Sequence, residues 1–188
     1  PTALPAAVGA ATTIPPSDFY TALRRTGAHH GQAFAALTRI VRTTGGPTET
    51  EIVLPDEATP YRGAVLHPVM LDAALQTLAA AMPEELLSES SEVTYLPVAM
   101  ESIRVFGDIG RRARCRAELV SIAEGGGAAV GQVTLMDDSG TPIAAVTGVY
   151  LRRVQRRTVP LPLSRKLFRA SWEEAAAPPA GEADGSWL

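Results

Sequence analysis

The chain has 188 residues, with 17 Lys and Arg against 20 Asp and Glu, and its formal charge of −3 gives no electrostatic footing for nucleic acid. A single cysteine, Cys115, excludes an internal disulfide scaffold, and the absence of a signal peptide or a long unbroken apolar run excludes a membrane-spanning helix as the organising element. The expectation is one domain with tails in a reducing cytoplasm, and a chain that starts at Pro1 rather than Met reads as a piece of a longer polypeptide.

Residues 1–16, rich in Ala, Pro and Thr without apolar period, read as a linker. Ser17-Asp18 then offers an N-cap for a short helix through Leu23 that Gly27 ends. After the turn-rich Gly27 to Phe34, the alternation Phe34, Ala36, Thr38, Ile40 predicts a strand, broken at Gly45-Gly46-Pro47. Thr50, Ile52 and Leu54 alternate with Glu49, Glu51 and Val53, so a second strand pairs with the first as a hairpin.

The stretch His67 to Met82 carries Pro68 at a helix N1 position and Pro83 as a stop. Leu71, Leu75, Leu78 and Met82 recur at helical spacing while the other faces are mostly Ala, so the helix is apolar almost all round and belongs in an interior. Asp72 and Gln76, one turn apart, are the polar exceptions on one face. A carboxyl buried on such a helix is costly unless paired or used, which makes Asp72 the first candidate for chemistry and interior backbone pairing its bland alternative.

Beyond an acidic Ser-rich loop, 84–92, the pattern changes to period 2. Val93 to Pro97, Ile103 with Val105, and Ala113, Cys115, Ala117 and Leu119 facing in with Arg112, Arg114, Arg116 and Glu118 facing out give successive strands. Gly125-Gly126-Gly127 turns the chain, Val130 to Met136 returns, Asp137-Asp138-Ser139-Gly140 is a tight turn, and Ile143 to Val154 closes the sheet. A short helix, two strands, one apolar helix and about four antiparallel strands make an α+β hotdog fold, a curved antiparallel sheet wrapped around one long central helix, over residues 17–157. Residues 158–188 read as a following linker and a flexible tail.

His67-Pro68-x-x-x-Asp72-x-x-x-Gln76 resembles the helix motif of polyketide synthase dehydratase domains, specifically the C-terminal hotdog half, and the likeness spans about Ser17 to Arg157. Gly27 to Phe34 is similar to the family's Gly-Tyr-Gly-Pro-x-Phe-type segment, with His30 and Gln32 where that pattern has Tyr and Pro. Leu96-Pro97 resembles its Leu-Pro-Phe motif, with Val98 replacing the aromatic. The resemblance implies removal of water from a 3-hydroxyacyl thioester on the phosphopantetheine arm of an acyl carrier protein, with no cofactor of the protein's own. Asp72 would be the general acid, with Gln76 orienting it, and His30, Leu96 and Pro97 would contact substrate. The family's base is a His heading a His-x-x-x-Gly-x-x-x-x-Pro motif, which no His here begins, so the N-terminal hotdog half of the same parent chain is an expected partner and the isolated chain is expected to be inactive. A homodimeric parent synthase is also expected.

The rivals are a hotdog thioesterase, in which a helix carboxylate activates water, and a silent dimerising module. His67, just before the helix, suits a structural hydrogen bond better than a base, and His29-His30 without a third ligand predicts no metal site. Cys115 on an inward strand face reads as a packed thiol. Gly125 to Gly127 lacks the Lys-Ser/Thr and the strand-to-helix setting of a phosphate loop. The arginines around 111–116 and 152–157 suggest docking of an acidic carrier protein, against the simpler account of a solvated strand face.

Overall fold

The computed structural model describes residues 9–58, 65–83 and 93–155, so the expectations for 84–92 and 158–188 lie outside the described residues. In chain order the elements are β1 (Ala11–Ile14), α1 (Pro16–Arg25), a 3₁₀ turn (Gln32–Phe34), β2 (Leu37–Thr43), β3 (Thr48–Val53), α2 (Pro68–Ala80), β4 (Val93–Ala99), β5 (Ser102–Val105), β6 (Arg112–Ile122), β7 (Ala128–Met136) and β8 (Pro142–Gln155). The strands form one antiparallel sheet in the order β1-β2-β3-β6-β7-β8-β4, and β5 follows β4 along the same edge of β8. Helix α2 packs across β2, β3, β6 and β7, which is the hotdog arrangement.

The helix begins where the sequence dictates. Pro68 has no N–H to lose at N1, and His67, the N-cap, accepts the Val69 N–H on Nδ1 at 3.1 Å. At the other end Arg42 Nε donates to the Ala80 carbonyl at 2.9 Å, satisfying one acceptor of the last turn. Val69, Met70, Ala73, Ala74, Thr77, Leu78 and Ala80 face the sheet and are buried. Burying side chains such as Met70 and Leu78 contributes on the order of 1.5–3 kcal/mol each. The approach to the sheet is close because β7 presents Gly131: a Cβ there would lie 2.4 Å from Leu78 Cδ1 and 3.0 Å from the Glu118 carbonyl. Under the helix, Thr77 Oγ1 bonds the Ala73 carbonyl at 3.0 Å and lies 2.7 Å from Thr50 Oγ1. Burial pushes the Cys115 thiol beside Thr77 up to about 12, so it is a packed thiol, as read from the strand pattern.

Several local expectations are corrected. Ala11–Ile14, read as linker, pair with Ile40 to Thr43 as an edge strand, where exposure on both faces leaves no alternation to read. The N-cap of helix α1 is Pro15, two residues before the expected Ser17; Pro16 sits in the first turn, and no side chain caps it. Phe34 belongs to the 3₁₀ turn and is 41% exposed, and a bulge between Leu37 and Arg39 buries Leu37 while leaving Thr38 outside, breaking the predicted face. The strand read at Ile103 and Val105 does form, as β5, and Ile103 is exposed on it.

The hairpin β2–β3 forms with Gly45 at φ 69°, and β6 buries Ala113, Cys115 and Ala117 as predicted. The Asp137 turn closes with its Oδ1 accepting the Ser139 and Thr141 N–H groups, both at 2.9 Å.

Candidate active site

Helix α2 is not covered all round. Leu71, Asp72, Leu75 and Ala79 lie on a stripe only partly buried, and the Asp72 side chain keeps 38% exposure. The complete burial expected from an all-apolar helix is absent because the sheet takes the Ala, Met70 and Leu78 faces, where close approach is possible.

Asp72 and Gln76 meet as their spacing requires: Gln76 Nε2 donates to Asp72 Oδ2 at 2.6 Å. Gln76 is itself held on every polar atom. Its Nε2 also donates to the Phe34 carbonyl at 3.0 Å, and its Oε1 accepts from the Tyr20 hydroxyl at 2.8 Å. Tyr20 in turn accepts the Leu37 backbone N–H at 3.0 Å, which ties α1, the 3₁₀ turn, the start of β2 and α2 to one point. Burial pushes the Tyr20 phenol up to about 12, so it remains a donor at any neutral pH.

His30 joins this cluster, with Nε2 3.9 Å from Asp72 Oδ2 and its ring 6.0 Å from that of Tyr20. Its Nδ1 is buried and has no hydrogen-bond partner among the described residues. The structure therefore brings together three of the five expected site residues, Asp72, Gln76 and His30. Leu96 and Pro97 lie on β4, the sheet edge opposite β1, both exposed, and Leu96 at 45%. Tyr20 was not foreseen. The signal available was an aromatic with a polar tip, beside Phe19 on a short helix ahead of the glycine turn, but its partner lies 56 residues away.

The cluster has a carboxyl open on one side, an amide that orients it and an imidazole beside it, a set suited to moving a proton at a bound substrate. Among the described residues no group of three or more His, Cys, Asp or Glu is placed to hold a metal, and no helix is long and apolar enough to cross a membrane. His29 is exposed.

The outward arginines of β6 face acids rather than forming an uninterrupted basic patch. Arg114 and Arg116 stand opposite Glu51 and Glu49 of β3, and Arg116 bonds Glu118 at 2.8 Å. Gln132 and Arg116 together hold the Glu118 carboxyl below its ordinary range, and Arg111 pairs with Asp56 at 2.6 Å.

A family profile described as "Polyketide synthase dehydratase N-terminal domain" matches residues 3–160. The chain belongs to the polyketide synthase dehydratase family. It is 54% identical over 184 residues to a phenolphthiocerol/phthiocerol polyketide synthase of Mycobacterium tuberculosis (strain CDC 1551 / Oshkosh), covering 94% of this chain and 10% of that one. Another phenolphthiocerol/phthiocerol polyketide synthase, from the H37Rv strain, is 33% identical over 185 residues, covering 93% and 8%. The chain thus spans about a tenth of the length of these relatives. Among solved dehydratases, the PpsC domain from Mycobacterium tuberculosis in complex with C12:1-CoA aligns with a TM-score of 0.69 at 32% identity, over 81% of this chain and 56% of that chain. The CurJ module dehydratase of the Curacin polyketide synthase, at 19% identity and a TM-score of 0.67 over 77% and 50%, shares the fold. The dehydratase relatives support the hotdog architecture read from the sequence.

Proposed function

We propose that this chain is the acid-bearing, C-terminal hotdog of a dehydratase domain that removes water from a 3-hydroxyacyl thioester during polyketide chain building. The observation that carries this reading is the Asp72–Gln76 pair, fixed by Tyr20 and Phe34 and open to solvent on one side. The matching profile's description refers to an N-terminal domain. We place the chain in the C-terminal half because the acid helix is here, while none of His29, His30 and His67 heads a His-x-x-x-Gly-x-x-x-x-Pro motif. Coverage of about half of the solved dehydratase chains agrees with one half of a double hotdog.

In this mechanism a base on the other half takes the C2 proton and Asp72 gives its proton to the C3 hydroxyl. The C2–H and C3–O bonds break, C2=C3 forms, and water leaves. Asp72 ends as carboxylate and the base as its conjugate acid, and a proton exchanged through solvent resets both. The half-exposed Leu71, Asp72 and Leu75 stripe is the surface the other half would cover, excluding water from the reacting carbons. His30, beside Asp72, is the expected substrate contact with the best placement. Leu96 and Pro97 would act on the acyl chain from the other edge of the sheet. The substrate would arrive on the phosphopantetheine of an acyl carrier protein, in the cytoplasm and within a homodimeric synthase.

The test is to give the intact parent domain a carrier-bound 3-hydroxyacyl chain and identify the product by mass. An enoyl thioester is the expected result. Free acid would instead select the thioesterase reading, and unchanged substrate the silent module.

A further inference from the structure

The two oxygens of the Asp72 carboxyl are not equivalent. Oδ2 accepts from Gln76 Nε2 and faces His30 Nε2, whereas Oδ1 has no hydrogen-bond partner among the described residues. The carbonyl oxygen of a neutral carboxylic acid is its better acceptor, so an acid whose Oδ2 is engaged by a donor carries its proton on Oδ1. The way round in which Gln76 sits therefore decides where the transferable proton lies. Turned over, the amide would offer Oε1 to Asp72 and trap the proton between the two side chains.

Hydrogen-bond polarity fixes the observed orientation. The Leu37 N–H can only donate, and it donates to the Tyr20 oxygen. Tyr20 has a single O–H, and it points that donor at Gln76 Oε1. The Phe34 carbonyl can only accept, and it takes one hydrogen of Gln76 Nε2, leaving the other for Asp72 Oδ2. Donation thus runs one way from the backbone of β2 to the carboxyl.

We propose that Tyr20 is a positioning residue: its hydroxyl fixes the Gln76 amide and so assigns the proton of Asp72 to Oδ1, the oxygen without a hydrogen-bond partner among the described residues. Its side chain touches neither Asp72 by hydrogen bond nor the open side of the site, so it acts through Gln76. The inference rests on Asp72 being the general acid.

The test uses the intact parent dehydratase domain and a carrier-bound 3-hydroxyacyl substrate. Tyr20→Phe keeps the ring that packs edge-on against Phe19 and removes only the hydroxyl. Its kcat should fall about tenfold with KM within about twofold, the pattern of a group that serves the transition state rather than binding. In a Gln76→Ala background the same change should cost nothing further, because the group through which it acts is gone. Wild-type kcat in Tyr20→Phe, or losses that multiply in the double variant, would overturn the proposal.

If Tyr20→Phe does not fold, ring-fluorinated tyrosine at position 20 tests the same link with nearly the same shape and a stronger donor. kcat should then change while KM and Tm hold, and the change should vanish with Gln76→Ala; an unchanged kcat overturns it. Asp72→Asn separates the acid assignment from the positioning role. Dehydration surviving in that variant rejects the acid reading itself, whereas its loss alongside a wild-type Tyr20→Phe rejects this inference alone.

Discussion

Asp72→Asn in the intact parent domain should abolish dehydration while leaving the fold in place, with kcat reduced by about 10²–10⁴-fold, the range expected for loss of one positioned acid. Asparagine has nearly the same size and can still accept the Gln76 N–H on its amide oxygen, so the network from Leu37 to Gln76 survives. It cannot give up a proton. The side chain is also partly exposed, so the substitution buries no unsatisfied group and thermal melting should shift little. Turnover of a carrier-bound 3-hydroxyacyl chain within a few-fold of wild type would remove Asp72 from the role assigned to it.

The second large effect concerns the chain by itself. Residues 1–188 should form no enoyl thioester, and supplying the N-terminal hotdog should restore it. Elimination needs a base within hydrogen-bond reach of C2 while the acid sits at the C3 oxygen, and simultaneous placement of both is worth many orders of magnitude, with effective molarities on the order of 10⁵–10⁸ M. On the proposed assignment the chain provides only the acid, Asp72. Of its histidines, His67 is committed to the Val69 N–H as an N-cap and His29 is exposed away from the cluster's hydrogen bonds. His30 lies on the Oδ2 side of Asp72, so a homodimer would duplicate the acid and still lack the family's base motif. Replacing the motif His of the added half should silence the reassembled domain again. Enoyl product from residues 1–188 alone would point to His30 as the base.

The parts of this architecture that were legible in the sequence are those whose signals are local. Helix α2 could be bounded because Pro68 and Pro83 flank a continuous run of good helix formers, and His67 was read as a structural hydrogen-bonding residue, the role its N-cap bond gives it. Strand β6 could be read because Arg112 to Leu119 alternate strictly between an arginine-rich face and a small apolar one. The meeting of Asp72 with Gln76 follows from helical spacing alone.

What the sequence hid depends on distant partners or on irregular backbone. Ala11–Ile14 pair at a solvent-exposed edge with no face to bury, and the bulge after Leu37 shifts a face by one residue without marking itself in composition. The apolar residues of the half-covered stripe of α2, Leu71, Leu75 and Ala79, could not be told from those of the buried faces, and the difference lies in where Gly131 lets the helix approach. Tyr20 escaped notice for the same reason: nothing near it in the chain shows that its hydroxyl reaches Gln76.

The central claim is that Asp72 delivers a proton to the departing oxygen, and the most direct measurement is a change of leaving group. A 3-fluoroacyl thioester expels fluoride, which needs far less help from an acid than hydroxide does. If Asp72 is that acid, Asp72→Asn in the parent domain will eliminate fluoride at close to the wild-type rate while failing to eliminate water from the 3-hydroxy substrate. Equal loss on both substrates would contradict it, because Asp72 would then be serving binding or structure instead of protonating the hydroxyl.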